Sequence, residues 1–251
     1  MSLASFVEGA DTTGVALAVV NRESPRPLQR LLETMFDKQP VAVEEWDVNE
    51  EVRDVVYLVT DGDVVASSPL AELQRSVLTV NSDIYVTGSR GVEEVDVPDV
   101  IEGLTEIPFQ LRGYPESNKE KLLLITISRY IEQLALENGG GKHRASFQRL
   151  SRLNDEQGTR AAYERLAESE VDTHLYGMPD WTPPPEFDVT IHGGWDQEFR
   201  ESWFVVHVPD EESSRHAGLV ALESEHALWH GFWTYDPATV QEINRYIERE
   251  L

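Results

Sequence analysis

The sequence contains no cysteine. That absence excludes disulfides, thiol nucleophiles and Cys-ligated zinc or iron–sulfur clusters together. Lysine is scarce, at 4 of 21 basic residues, whereas Asp and Glu total 46, giving a net charge of −25. No apolar run approaches the roughly 20 residues needed to cross a bilayer, and residues 1–10 lack the basic start and apolar core of a signal peptide. The reading is a soluble, cytoplasmic chain without membrane contact. No G-x-S-x-G elbow, P-loop or G-x-G-x-x-G fingerprint occurs. There is also no helix-turn-helix with a basic recognition helix and no basic stripe, so direct nucleic-acid binding is not expected.

Hydrophobic residues make up 40% of the 251 positions and run throughout the chain. The acidity therefore belongs to a folded surface and not to a disordered tail, which would segregate its charge. At this length the chain can bury a core without staples. Such a surface suits a high-salt cytoplasm: the Debye length falls to about 3 Å at 1 M salt, which screens the carboxylate repulsion that would weaken the fold in dilute buffer. An ordinary acidic protein is the alternative, and the scarcity of lysine favours the halophile.

The stretch 143–181 organises the rest. Ala145, Phe147 and Leu150 mark a strand, and Thr159 is placed to cap a helix carrying Ala162, Tyr163, Leu166 and Ala167. Residues 171–176 return as a strand before a Pro-rich exit. A helical crossover implies parallel strands, whose carboxyl edge is where α/β proteins usually place ligands.

Upstream, Leu3, Phe6 and Val7 mark an amphipathic helix, and residues 15–21 and 41–46 read as strands. Between them Ser24-Pro25 caps a helix with the stripe Leu28, Leu31, Leu32 and Met35. Residues 55–59 and 64–66 form a hairpin around Asp61-Gly62, and Ser68-Pro69 opens a helix through Leu70, Leu73 and Val77. Residues 78–80 and 84–87 read as short strands and 98–104 as a short helix.

Ser117 and Glu120 fit a capping box for a long apolar helix over 122–136, which Asn138 and Gly139-Gly140-Gly141 end as a flexible joint. Beyond Pro183 to Pro185, a strand at 189–192, a hairpin of 203–208 with 219–222, a strand at 232–234 and a helix capped by Asp236-Pro237, with Val240, Ile243 and Ile247, complete the chain.

Residues 2–77 and 117–251 thus share one order: helix, strand, capped helix, strand, hairpin, capped helix. The expected fold is α/β, with mixed sheets flanked by helices in two packed, topologically similar halves. Their expected bounds are an N-terminal domain over 1–116 and a C-terminal domain over 117–251.

Phe147, Thr159, Tyr163, Trp203, Phe204, Gly231, Phe232, Trp233 and Asp236 also carry a family pattern. On these residues the chain from about Ser117 onward resembles the DICT sensory domain, which occurs with diguanylate cyclases and two-component proteins. The N-terminal half looks like the extension of stand-alone haloarchaeal members. The resemblance implies a cytoplasmic input module that senses light or a small ligand and is not a catalyst. It brings no catalytic residue set and no established ligand. Multidomain members carry a cyclase, phosphodiesterase or kinase, and this sequence departs from that pattern.

Five of the six tryptophans, Trp181, Trp195, Trp203, Trp229 and Trp233, lie in the last 71 residues with Phe204 and Phe232 among them. Flat rings beside Gly193-Gly194 and Gly231 could line a pocket for a planar ligand; alternating core residues of strands would give the same pattern. Arg149, Arg152 and Arg160 could hold an anionic group at the helix start, or pair with the abundant acids.

His226 and His230 have helical metal-ligand spacing but no clear third ligand, and the segment reads as a polar loop. His192-Gly193-Gly194 with Ser146 or Ser202 suggests acyl chemistry without the elbow that would support it. No catalytic residue, metal site or cofactor is therefore assigned. The candidate ligand set is Trp181, Trp195, Trp203, Phe204, Phe232, Trp233, Arg149 and Arg152.

Three functional readings stand: a non-catalytic sensory protein with an unknown small ligand and a signalling partner, an enzyme acting on an anionic or nucleotide substrate, and a ligand-free interaction module. The helix over 122–136 is the expected conduit or homodimer interface.

Overall fold

The computed structural model describes residues 2–9, 14–26, 30, 33–34, 36, 39–49, 51–73, 75–76, 97–106, 108–112, 119–155, 157–185, 187–211, 213–225 and 228–251. The expected stripe Leu28, Leu31, Leu32 and Met35, the strands at 78–80 and 84–87, the Ser117 cap and His226 lie outside these residues.

The first sheet is built on β1 (Val15–Val20), whose run of apolar residues is buried on both faces as a central strand requires. It pairs in parallel with β2 (Val41–Trp46) and antiparallel with β3 (Val55–Thr60), which pairs antiparallel with β4 (Asp63–Pro69). The sheet order is β2-β1-β3-β4. Asp61 and Gly62 join β3 to β4 with φ of 53° and 90°, the two positive angles of a hairpin turn that follows the strand twist.

Pro69 still belongs to β4. The Ser68 hydroxyl, expected to cap the next helix, instead accepts the Val100 N–H of helix α2 (Asp99–Glu102) at 3.2 Å. Leu70 and Leu73 are buried as predicted.

The second sheet has seven strands in the order β5-β11-β10-β9-β6-β7-β8. In chain order its elements are β5 (Phe109–Arg112), α3 (Lys119–Asn138), β6 (Lys142–Arg149), α4 (Arg152–Asp155), α5 (Gln157–Ala167), β7 (Asp172–Met178) and β8 (Thr190–Gly193). They continue with α6 (Gln197–Glu201), β9 (Ser202–Val208), β10 (Ala217–Glu225), β11 (Leu228–Thr234) and α7 (Pro237–Glu250). The predicted β-α-β unit is present: β6 and β7 are parallel and joined by α5, which buries Ala162, Tyr163 and Leu166.

Within this sheet β7-β6-β9-β10 repeats the arrangement of β2-β1-β3-β4, a parallel pair followed by an antiparallel hairpin on the other side. The two halves are therefore topologically similar, as their common element order predicts. The larger sheet adds β8 at one edge and β11 and β5 at the other.

Two elements cross the expected division after residue 116. β5 pairs with β11 as an edge strand of the second sheet. Helix α1 (Leu3–Gly9) leaves its own half and packs on β10, β11 and α7. There Leu3 is fully buried, with Phe6 and Val7 against the same cluster. That cluster, with Phe199, Phe204, Val206, Val220, Phe232, Val240, Ile243 and Ile247, fills one face of the seven-stranded sheet. On the other face a continuous core runs from Leu17, Val56 and Leu58 of the first sheet through Val100 and Leu104 to Leu124, Ile127 and Ile131 of α3.

Helix α3 is buried almost all round between Leu124 and Ala135. Those apolar positions meet the chain itself, which leaves no free stripe there for a homodimer, contrary to the expected interface. The glycines after it are not a flexible joint. Gly139 and Gly141 take φ of 68° and 98°, and a Cβ on Gly141 would lie 2.4 Å from the Val208 carbonyl oxygen. The Gly141 carbonyl accepts the Asp172 N–H at 2.8 Å, fixing the turn onto β7. The Asp236 cap is present, its carboxylate accepting the Thr239 N–H at 2.8 Å. Thr159 is not a cap: α5 starts at Gln157, and the Thr159 hydroxyl accepts from Arg129 at 2.8 Å.

Candidate functional site

Alternation along the strands separates the predicted aromatic set. On β9 and β11, Trp203 and Trp233 face the core shared with α3, whereas Phe204 and Phe232 face α1 and α7. Phe204, Phe232 and Trp233 are buried, Trp181 and Trp203 are half-buried against the α3-side core, and Trp195 is 67% exposed. The space left by the glycines is filled by the chain's own rings. A Cβ on Gly231 would lie 2.5 Å from the Phe109 ring, and one on Gly194 would lie 2.3 Å from the Phe199 ring.

At the carboxyl edge of β6 the strand bulges with Gln148 at φ 52°, and the following loop is clipped down by Asp180, which accepts from Ser151 N at 2.9 Å and from its hydroxyl at 2.8 Å. Arg149 lies 3.9 Å from the same carboxylate and is largely exposed. Arg152 donates to Gln148, and Arg160 pairs with Glu164 at 2.7 Å. Of the three, Arg160 is paired closely with an acid, Arg152 is held by an amide, and Arg149 remains largely open to solvent. Ser146 donates to the Ser202 carbonyl at 3.0 Å and accepts the Phe204 N–H at 2.9 Å, joining β6 to β9.

The chemistry of the second sheet gathers in two polar networks, one on each face, supplied by neighbouring residues of β6 that point opposite ways. His143 belongs to the network under α3 and α5. There Arg129 and Glu132 form a buried ion pair at 2.6 Å, and Arg129 also holds Thr159. The Tyr163 hydroxyl lies 3.4 Å from His143 Nε2. Burial, followed by the Glu132 charge, pushes the Tyr163 phenol well up.

His143 and His207 are register partners on β6 and β9, both fully buried, with ring centroids 6.2 Å apart. Burial pushes His143 down to about 3 and His207 to about 4, so both rings are neutral near pH 7. His207 Nε2 lies 3.0 Å from the Asn138 amide nitrogen. Removing one partner of a buried ion pair strands the other charge, at a cost of about 3–5 kcal/mol.

Arg144 belongs to the opposite network, on the face toward α7, and is 1% exposed. Its Nε donates to Asn244 Oδ1 at 2.6 Å and its Nη1 to the Tyr176 hydroxyl. Nη2 is 3.3 Å from Glu248 Oε1 without an aligned hydrogen bond. Lys142 reaches the same carboxylate oxygen at 3.0 Å.

Tyr176 stacks on His192 with centroids 4.3 Å apart and planes 5° from parallel, and His192 Nε2 is 2.9 Å from His174 Nδ1. His174 in turn lies 3.1 Å from Asp172. Burial raises the Tyr176 phenol and lowers His192, the latter helped by His174 and Arg144. Of these residues the sequence reading weighed only His192. The available signal was Lys142-His143-Arg144, three basic residues in succession in a chain that has few. Among the described residues no group of three His, Asp or Glu is placed to hold a metal ion, and no helix is long and apolar enough to cross a membrane.

The fold and its networks define a mixed α/β protein with a polar, cation-bearing sheet face. Residues 100–223, just under half of the chain, match the family model of DICT, the sensory domain in diguanylate cyclases and two-component systems. The match runs from α2 into β10. It supports the resemblance read from Phe147 to Phe204 and ends before Gly231, Phe232, Trp233 and Asp236. DICT is a sensory domain of signalling proteins, in keeping with a sensory role. No curated protein matches the chain. Among solved structures it is similar to polyphosphate kinase from Porphyromonas gingivalis at 8% identity and a TM-score of 0.37, over 98% of this chain and 47% of that one. The chain thus spans about half of that protein's length, and at this TM-score the likeness carries no argument.

Proposed function

We propose that this protein is a non-catalytic sensory module of a high-salt cytoplasm that binds a small ligand or responds to light and passes the signal to a partner protein. The observation that carries the reading is the match of residues 100–223 to a sensory family, because it covers most of both polar networks. A sensor needs two conformations that its ligand binds unequally. Buried charges and imidazoles suit that role, since their energies change steeply when a neighbour moves.

The test is a UV–visible spectrum of protein purified at molar salt, followed by denaturing mass spectrometry of any released molecule and capture of partners from high-salt lysate. A chromophore or a stoichiometric metabolite, together with a partner whose binding depends on it, is the expected result. Partner binding indifferent to every released or added small molecule would refute the sensory reading in favour of a constitutive interaction module.

A further inference from the structure

Glu248 occupies an unusual position. It lies in the last turn of α7, where the negative end of the helix dipole disfavours a carboxylate. Its partners are Lys142 Nζ at 3.0 Å and Arg144 Nη2 at 3.3 Å, so one carboxylate is shared by two cations. Elsewhere the imbalance runs the other way, with 46 acids against 21 basic residues.

The Arg144 guanidinium is fixed on two sides by Asn244 and Tyr176, which leaves Nη2 buried, without a hydrogen bond, and aimed at Glu248. The Glu248 side chain is 50% exposed and that of Lys142 43%, so this corner opens to solvent where the cation itself does not. His174 stands beside Arg144 in the β6–β7 register with Asp172 next to it, and His192 follows on β8.

We propose that this corner is a binding site for a small oxyanion, the phosphate or carboxylate group of a metabolite, which takes the place of the Glu248 carboxylate on Arg144 Nη2 and Lys142 Nζ. Glu248 is the built-in stand-in that keeps a buried cation neutralised while the site is empty. Exchange frees the last turn of α7 from β6, which supplies the two states a sensor requires. As the ligand class of the sensory function the inference rests on that reading; the anion chemistry rests on the geometry alone.

The test titrates the full chain with inorganic phosphate and, separately, acetate at constant ionic strength in molar KCl, read by calorimetry. Glu248→Gln removes the competing charge and is expected to bind about tenfold more tightly than the wild type, and Lys142→Met about tenfold more weakly. Glu248→Gln leaves the buried Arg144 charge without its carboxylate, so thermal unfolding of each protein is recorded in the same molar KCl and affinities are compared only below each transition. Preference for phosphate over acetate assigns a phosphorylated ligand, and the reverse assigns a carboxylic acid. Equal affinity in all three proteins, or no binding by Glu248→Gln, overturns the proposal. Neither result bears on the spectrum and mass spectrometry that test the sensory reading.

Discussion

The His143–His207 pair predicts an acid sensitivity that can be worked out from the structure. In the unfolded chain each imidazole takes up a proton near its ordinary value of about 6.5. In the folded protein burial holds His143 down to about 3 and His207 to about 4. The unfolded state therefore binds more protons below pH 6.5, and the stability contributed by burying neutral rings, complete above that pH, is lost as acid is added. Each ring contributes a slope of roughly 1.4 kcal/mol per pH unit, so at pH 5 each costs about 2 kcal/mol and the pair about 4 kcal/mol.

The assay is guanidinium unfolding at fixed molar salt between pH 7.5 and 5, for the wild type and the His143→Gln, His207→Gln double variant. The variant lacks the polar rings that titrate, so subtracting its pH slope removes the contribution of the many carboxylates. A wild-type excess slope amounting to about 4 kcal/mol over that interval is expected. Parallel profiles for the two proteins would refute the reasoning, because the rings would then be titrating in the folded state as in water.

Other expectations follow from single contacts. Gly231→Ala places a methyl 2.4 Å from the Val220 carbonyl and 2.5 Å from Phe109, and is expected to destabilise by roughly 3 kcal/mol in thermal unfolding, with β5 displaced. Asp236→Ala removes the acceptor of the Thr239 N–H and is expected to cost about 1 kcal/mol in the same measurement. With a net charge of −25, raising KCl from 0.1 M to 2 M is expected to raise Tm by about 2–4 °C for each kcal/mol of repulsion relieved. A Tm independent of salt would remove the charge argument for a high-salt origin.

Much of the fold was legible because it is written in short-range terms. Residues 15–20, 41–46 and 55–60 declare strands by β-branched runs, Asp61-Gly62 declares its turn by a residue pair that tolerates positive φ, and Asp236-Pro237 declares a helix start. The repeated order of elements even foretold the shared topology of the two halves. Caps that rest on a hydroxyl were read less well: Ser68 and Thr159 have the right chemistry, but Val100 and Arg129, brought close only by the fold, take their oxygens.

Composition and local pattern by themselves determined an acidic α/β protein with a β-α-β unit, because propensity, periodicity and charge are properties of neighbours in sequence. Tertiary structure alone decided that β5 and α1 join the far sheet, that Phe109 and Phe199 fill the space beside Gly231 and Gly194, and that Arg144, Tyr176, His192 and Glu248 meet. Those contacts join residues as far apart in sequence as α1 and α7, and one position along β6 separates His143 on one face from Arg144 on the other. Which partner a buried charge finds is set by strand order and pleat, neither of which a linear pattern contains.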